Sequence, residues 1–307
     1  MTTNIDRPTL IVVVGPTGSG KTDLSIRIAQ HYAAPILSTD SRQMYIGMPI
    51  GTAQPTPEQL NCVEHHFIAD RTPDREFNCG QYEIEALARL DELFATRKYV
   101  VAVGGSGLYI QALCEGMDEL PQADNDLRQT LHQRLEHEGL QSLVDQLRQL
   151  DPKCCDTIDI RNHARVMRAL EVCLLSGRPY SEQRIGQRRE RPFRIIKIGT
   201  DIDRPTLYRR IDCRVDQMIA DGLENEVESM LPFRHCNALQ TVGYKELFAY
   251  MDGECSREEA IELIKRNSRR YAKRQMTWFR RDTEIAWFAP SDTDAIIEYI
   301  DGKVLQN

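Results

Sequence analysis

The run Gly15-Pro16-Thr17-Gly18-Ser19-Gly20-Lys21-Thr22 constrains what this chain can fold into more than any other feature. It fits G-x-x-x-x-G-K-[ST] and follows Leu10–Val14, an apolar, β-branched run of strand length. Helical patterning then runs from about Thr22 to Tyr32. Strand, glycine loop and helix in that order turn successive backbone N–H groups inward and add the positive end of a helix. Lys21 is expected to reach terminal phosphate oxygens, and the Thr22 hydroxyl is expected to ligate Mg²⁺. The motif thus specifies a nucleotide-like di- or triphosphate with Mg²⁺, and ATP is only one candidate.

The remaining pattern predicts an α/β fold, a P-loop NTPase-like parallel sheet core. Short strands are expected at 36–38, 66–68, 99–103, 193–200 and 285–288, with helices at about 81–96 and after Gly104-Gly105-Ser106-Gly107. Residues 121–189 contain no convincing strand. Leu127, Leu131 and Leu135 form one helical stripe, Leu140 to Leu150 a second, and Val166, Met167, Leu170 and Leu174 a third. Expected domains are therefore a discontinuous catalytic core, 1–120 with 190–307, and a small all-helical insertion domain, 121–189.

ATP-hydrolysing P-loop proteins carry an acid at the end of a neighbouring strand. Here the strand at 100–103 ends in Gly104-Gly105-Ser106, so group transfer is favoured over motor-type hydrolysis. Asp40, two residues beyond the strand at 36–38, lies at the carboxyl edge of the sheet, where ligands bind. A carboxylate there can take a proton from a nucleophile facing the phosphates, although a turn aspartate is the commoner role for such a residue.

No apolar run approaches the ~18–20 residues of a membrane span, and no signal-peptide pattern opens the chain. The nine cysteines are scattered without C-x-x-C spacing, which suits reduced thiols and a cytoplasmic protein. A net charge of -7 argues at first against nucleic acid. Its distribution reverses that inference. Residues 1–120 hold 9 basic and 15 acidic residues, whereas 261–281 hold eight basic residues against Glu262 alone. Arg266, Arg270, Lys273 and Arg274 share one helical face, and Tyr271, Trp278 and Phe279 interleave them. Residues 161–194 add nine Arg against three Glu. Both stretches suit phosphate tracking along RNA.

Seven ordered segments carry a resemblance: GPTGSGKT (15–22), STDSRQMYIGMPIGTAQP (38–55), HHFIAD (65–70), VGGSGLYIQAL (103–113), RALEV (168–172), VGYKEL (242–247) and AKRQMTWFR (272–280). Together, across 10–281, the chain resembles the tRNA dimethylallyltransferases, or tRNA isopentenyltransferases. The resemblance implies transfer of a dimethylallyl group from dimethylallyl diphosphate to N6 of the adenosine 3′ of the anticodon. It implies Asp40 as general base, with Ser106, where the family usually has Thr, and Arg214 as further catalytic residues. Arg210 or Arg214 would hold the diphosphate beside the loop of Gly15 to Thr22. Contacts to the tRNA anticodon stem-loop are implied for Asp40, Ser41, Arg42, Gln43, Ser106, Arg128, Arg165, Arg168, Gln240, Thr241, Val242, Gly243, Tyr244 and Lys245. The same holds for Arg270, Lys273, Arg274, Gln275, Trp278 and Arg280. Gln54 stands where the family often has Lys. The expected enzyme is a monomer.

Three alternatives remain at this stage. One is prenylation of free AMP, ADP or ATP, against which the basic helix and Arg-rich insertion speak. Another is a P-loop small-molecule kinase. The third is an RNA-binding protein with a vestigial loop, against which intact Lys21, Thr22 and Asp40 speak.

Overall fold

A computed structural model describes residues 7–306. The first stretch comprises β1 (Thr9–Val14), α1 (Lys21–His31), β2 (Ile36–Ser38), α2 (Pro57–Cys62), β3 (His65–His66), α3 (Cys79–Phe94), β4 (Tyr99–Gly104) and α4 (Gly107–Glu115). Four helices follow: α5 (Asn125–Leu150), α6 (Pro152–Thr157), α7 (His163–Ser176) and α8 (Tyr180–Gln183). The chain then runs through β5 (Arg194–Thr200), α9 (Arg204–Ala220), α10 (Leu223–Ser229), α11 (Tyr244–Met251), α12 (Arg257–Phe279), β6 (Ala286–Phe288) and α13 (Thr293–Leu305).

Two compact units result: one takes the chain through Cys114 and again from Glu190, the other is Glu115–Arg189. In the first unit the six strands pair in parallel in the order β3-β2-β4-β1-β5-β6. β1 is central and wholly buried. Its alternate residues enter opposite cores: Leu10, Val12 and Val14 one, Ile11 and Val13 the other. That two-sided burial is why the strand reads as unbroken hydrophobics, each such side chain contributing about 1.5–3 kcal/mol relative to exposure. The chain leaves β1 for β2, which lies beyond β4, so the strand order reverses beside β1. The carboxyl ends of β1, β2 and β4 therefore open on a crevice, where a doubly wound sheet binds ligands.

Some boundaries depart from the pattern. The strand expected at 66–68 is His65–His66, because buried Phe67 takes a left-handed φ of 61° and ends it. α3 begins at Cys79 rather than near Gln81; Asn78 and Gln81 form a reciprocal capping box there.

The second unit packs its own core from Leu131, Leu143, Val144, Leu147, Val166 and Leu170. Two of the expected leucine stripes lie on α5, which is broken at Gly139, where the backbone turns to φ 79°, ψ 169°. Gly177, at φ 66°, caps α7. Among the described residues no helix is long and apolar enough to cross a membrane.

Candidate active site

Gly20 precedes α1 with φ 86°, a left-handed turn that glycine adopts without a Cβ penalty. It offers no capping side chain, so the first N–H groups of α1 remain available to an anion. The loop is braced from behind by α12. Gln275 is buried; its Oε1 accepts from the Thr17 N–H at 2.9 Å, and its Nε2 donates to the Gly105 carbonyl at 2.9 Å. One side chain thus ties the phosphate loop to the end of β4. A Cβ at Gly105 would collide with the Gln275 amide, so the close approach requires glycine there.

Two hollows adjoin the loop. The larger, about 570 Å³, is lined by Gly18, Gly20, Lys21 and Thr22, by Arg214 and Met218 of α9, and by the segment Pro49 to Gln59. Arg214 donates from Nη1 to Thr17 Oγ1 at 3.4 Å, and burial pulls its guanidinium below the usual range while Asp23 opposes the shift. Arg210, one helical turn earlier, brings Nη1 to 3.8 Å from where a Cβ on Gly20 would stand. Lys21 is half-buried and lines both hollows. Its Nζ donates to the Pro16 carbonyl at 3.3 Å. Burial lowers its ammonium to about 8, Asp40 works against that shift and Arg214 adds to it. The lining also includes the apolar residues Pro49, Ile50, Ala53, Pro55 and Met218. One cavity therefore brings the cationic residues Lys21 and Arg214 together with apolar side chains.

The smaller hollow shares Lys21 and Thr22 and adds Ser38, Asp40, Gln43 and His65. Asp40 is a turn residue as well as a candidate base, since its Oδ1 accepts from the Arg42 N–H at 2.9 Å. Ser106 pins the same turn: its Oγ accepts from the Ser41 N–H at 2.9 Å and donates to Ser41 Oγ at 3.1 Å. Tyr271, one turn before Gln275 on α12, joins them. Burial raises its phenol to about 12, and the Asp40 charge adds to the shift. The sequence pattern gives Tyr271 only a stacking role; the further signal is its four-residue spacing from Gln275, which puts the two on one face of α12.

The residues expected to touch RNA divide. On the first unit Gln240, Lys245, Arg270, Lys273, Arg274, Trp278 and Arg280 are exposed, while Ser41, Arg42, Thr241 and Val242 are half-buried. Trp278 also lays its indole against Gly107, the first residue of α4. Arg280 is engaged with Asp201 at 2.7 Å and sits 4.2 Å over the Trp287 ring. Lys265 and Arg269 turn toward α9, where they pair with Asp216 and Asp212, leaving Arg266, Arg270, Lys273 and Arg274 as the outward face.

Four residues expected to touch RNA are instead buried or engaged within the fold. Gln275 is committed to the phosphate loop. Gly243 and Tyr244 are buried, the Tyr244 hydroxyl donating to Glu226 at 2.5 Å. The Gln43 amide works inside, accepting from Ser38 Oγ at 3.2 Å and donating to the Ala53 carbonyl at 2.7 Å. Gln54 likewise donates to the carbonyls of Gln43 and Tyr45, at 2.9 and 2.8 Å, so an amide at this position serves as a loop tie. In the second unit Arg165 is exposed, but Arg128 and Arg168 both pair with buried Glu171, at 2.9 and 2.6 Å.

A family model described as IPP transferase matches residues 43–282. A tRNA dimethylallyltransferase of Bacteroides thetaiotaomicron is 50% identical over 95% of this chain and 95% of its own length. One from Cytophaga hutchinsonii is 46% identical, covering 96% and 97%. Among solved structures, the full-length tRNA isopentenylpyrophosphate transferase of Bacillus halodurans superposes with a TM-score of 0.72 at 36% identity, covering 98% of each chain. A eukaryotic dimethylallyltransferase acting on tRNA shares the fold, with a TM-score of 0.77 at 23% identity, over 94% of this chain and 75% of the other.

Proposed function

The chain belongs to the IPP transferase family, and from that membership we propose that it moves a dimethylallyl group from dimethylallyl diphosphate to N6 of the adenosine 3′ of the anticodon in tRNA. Its curated relatives are tRNA dimethylallyltransferases, so the free-nucleotide and kinase readings are not favoured. The observation that carries the proposal is a pair of hollows that share Lys21 and Thr22, one adding Arg214 and apolar residues, the other Asp40.

The adenine amine is a weak nucleophile because its lone pair is delocalised into the ring. As it attacks the allylic carbon, a C–N bond forms, the C–O bond to diphosphate breaks, and the amine proton passes to the Asp40 carboxylate. A positioned base of this kind contributes about 10²–10⁴-fold. Charge grows on the departing diphosphate, where the first N–H groups of α1, the Lys21 ammonium and the Arg214 guanidinium await it. Ser106 and Tyr271 keep the Asp40 turn in place. The Thr22 hydroxyl lines both hollows and suits Mg²⁺, which takes few protein ligands and draws the rest from phosphates and water. When bound, Mg²⁺ would neutralise diphosphate charge.

The test is to incubate the protein and Mg²⁺ with unmodified tRNA and labelled dimethylallyl diphosphate, with AMP and ATP as competing acceptors. Label is expected in tRNA alone. Label in AMP or ATP, or none in any acceptor, overturns the proposal.

The outward face of α12 is the proposed tRNA surface. Arg270→Glu is expected to weaken tRNA binding about tenfold or more and to flatten its salt dependence, with dimethylallyl diphosphate affinity unchanged. A filter-binding titration over a salt series checks this, and equal tRNA affinity for variant and parent would reject the surface.

A further inference from the structure

Glu226, on α10, is a nearly buried carboxylate far from the phosphate loop in sequence, yet it accepts three hydrogen bonds. Its Oε2 accepts from the Ile50 N–H at 2.7 Å, and its Oε1 accepts from the Gly51 N–H at 2.8 Å and from the Tyr244 hydroxyl at 2.5 Å. The Tyr244 ring packs so closely on Gly51 that a Cβ there would meet it. A carboxylate withdrawn from water is costly unless its oxygens are satisfied, and here two of the three donors are backbone N–H groups of one loop. That loop is part of the cavity wall: Pro49, Ile50, Ala53, Gln54 and Pro55 line the same hollow as Lys21 and Arg214. Its far end is tied separately, by Gln43 to the Ala53 carbonyl.

We propose that Glu226 and Tyr244 are positioning residues for the isoprenoid diphosphate, setting the apolar wall at its working distance from the phosphate loop. Tyr244 thereby acts on the small substrate rather than on tRNA. This rests on the function proposed above. Burial and the neighbouring carboxylate push the Tyr244 phenol upward, so it remains a donor across the working pH range. The Gln in Glu226→Gln keeps the shape but turns an N–H₂ toward groups that can only donate, freeing one end of the wall. Tyr244→Phe removes a single donor and leaves both backbone bonds.

The test uses the full chain with Mg²⁺. Calorimetry measures dimethylallyl diphosphate binding, filter binding measures tRNA, and steady-state kinetics separates KM from kcat. For Glu226→Gln the KM and Kd for dimethylallyl diphosphate are expected to rise about tenfold, with kcat and tRNA affinity within about twofold of the parent. Tyr244→Phe is expected to move the same two constants about threefold, and it carries the test if the first variant fails to fold. A fall in kcat at unchanged KM would mean only a loss of active protein and would overturn the proposal. Weakened tRNA binding at unchanged diphosphate affinity would overturn it too, returning Tyr244 to the RNA surface. Failure of the parent to bind dimethylallyl diphosphate defeats the reading of the site itself. A parent that binds it, with both variants indistinguishable from it, defeats this inference alone.

Discussion

Asp40→Asn is expected to lower kcat for dimethylallyl transfer by about 10²–10⁴-fold while leaving dimethylallyl diphosphate affinity within about twofold. The variant is chosen for its shape. Asn keeps an oxygen to accept from the Arg42 N–H, so the turn after β2 survives with its ties to Ser41 and Ser106. What it loses is the ability to take the amine proton. The diphosphate cradle is built from other residues, Lys21, Thr22 and Arg214, so binding is spared. Single-turnover labelling of tRNA separates the chemical step from product release. Near-parental labelling would remove Asp40 as the base and leave it a turn residue only.

Lys21→Ala is expected to weaken dimethylallyl diphosphate binding by about 10- to 100-fold, the worth of a charge-assisted hydrogen bond of roughly 1.5–3 kcal/mol. A pH signature accompanies it. Burial lowers the parental Lys21 ammonium to about 8. The free protein therefore sheds this proton above that value, whereas the diphosphate requires it. Parental affinity should fall as pH rises from 8 to 9, approaching tenfold per unit, with a proton taken up on binding. The alanine variant should lack that uptake. Stability runs the other way. Between about 8 and the usual lysine value of 10.5 the unfolded chain holds a proton that the folded chain has lost, so the penalty that Lys21 imposes on folding is full below this window and fades as pH rises through it. Calorimetry at pH 7 and 9 in buffers of different ionisation enthalpy checks the binding claim. Equal proton uptake by parent and variant would assign the titration to another group.

The legible parts of the molecule are those whose signals are local. The phosphate loop announces itself because glycine, lysine and threonine at fixed spacing have one structural use after a strand. The five-residue apolar run of β1 and the leucine stripes of α5 and α7 reflect burial on two sheet faces and on helix faces. Errors cluster where the chain turns for tertiary reasons. Phe67 ends β3 by entering a left-handed conformation to bury its ring. The arginines show the same limit. Spacing placed Arg266, Arg270, Lys273 and Arg274 on one face, and they are exposed together. It could not show that Arg128 and Arg168 spend their guanidinium groups on Glu171.

The sequence by itself determined an α/β core with a P-loop motif, a helical insertion, the family, and Asp40 at the sheet edge, because backbone conformation and amphipathic period are written in neighbouring residues. Only the tertiary structure decided that Gln275 braces the loop, that Ser106 and Tyr271 frame Asp40, and that Glu226 and Tyr244 secure the cavity wall. These partners lie up to 258 positions apart in the chain, as Thr17 and Gln275 do, and a glutamine, tyrosine or glutamate carries no mark of the distant backbone group it will bond. Packing of α9 to α12 on one another brings them together.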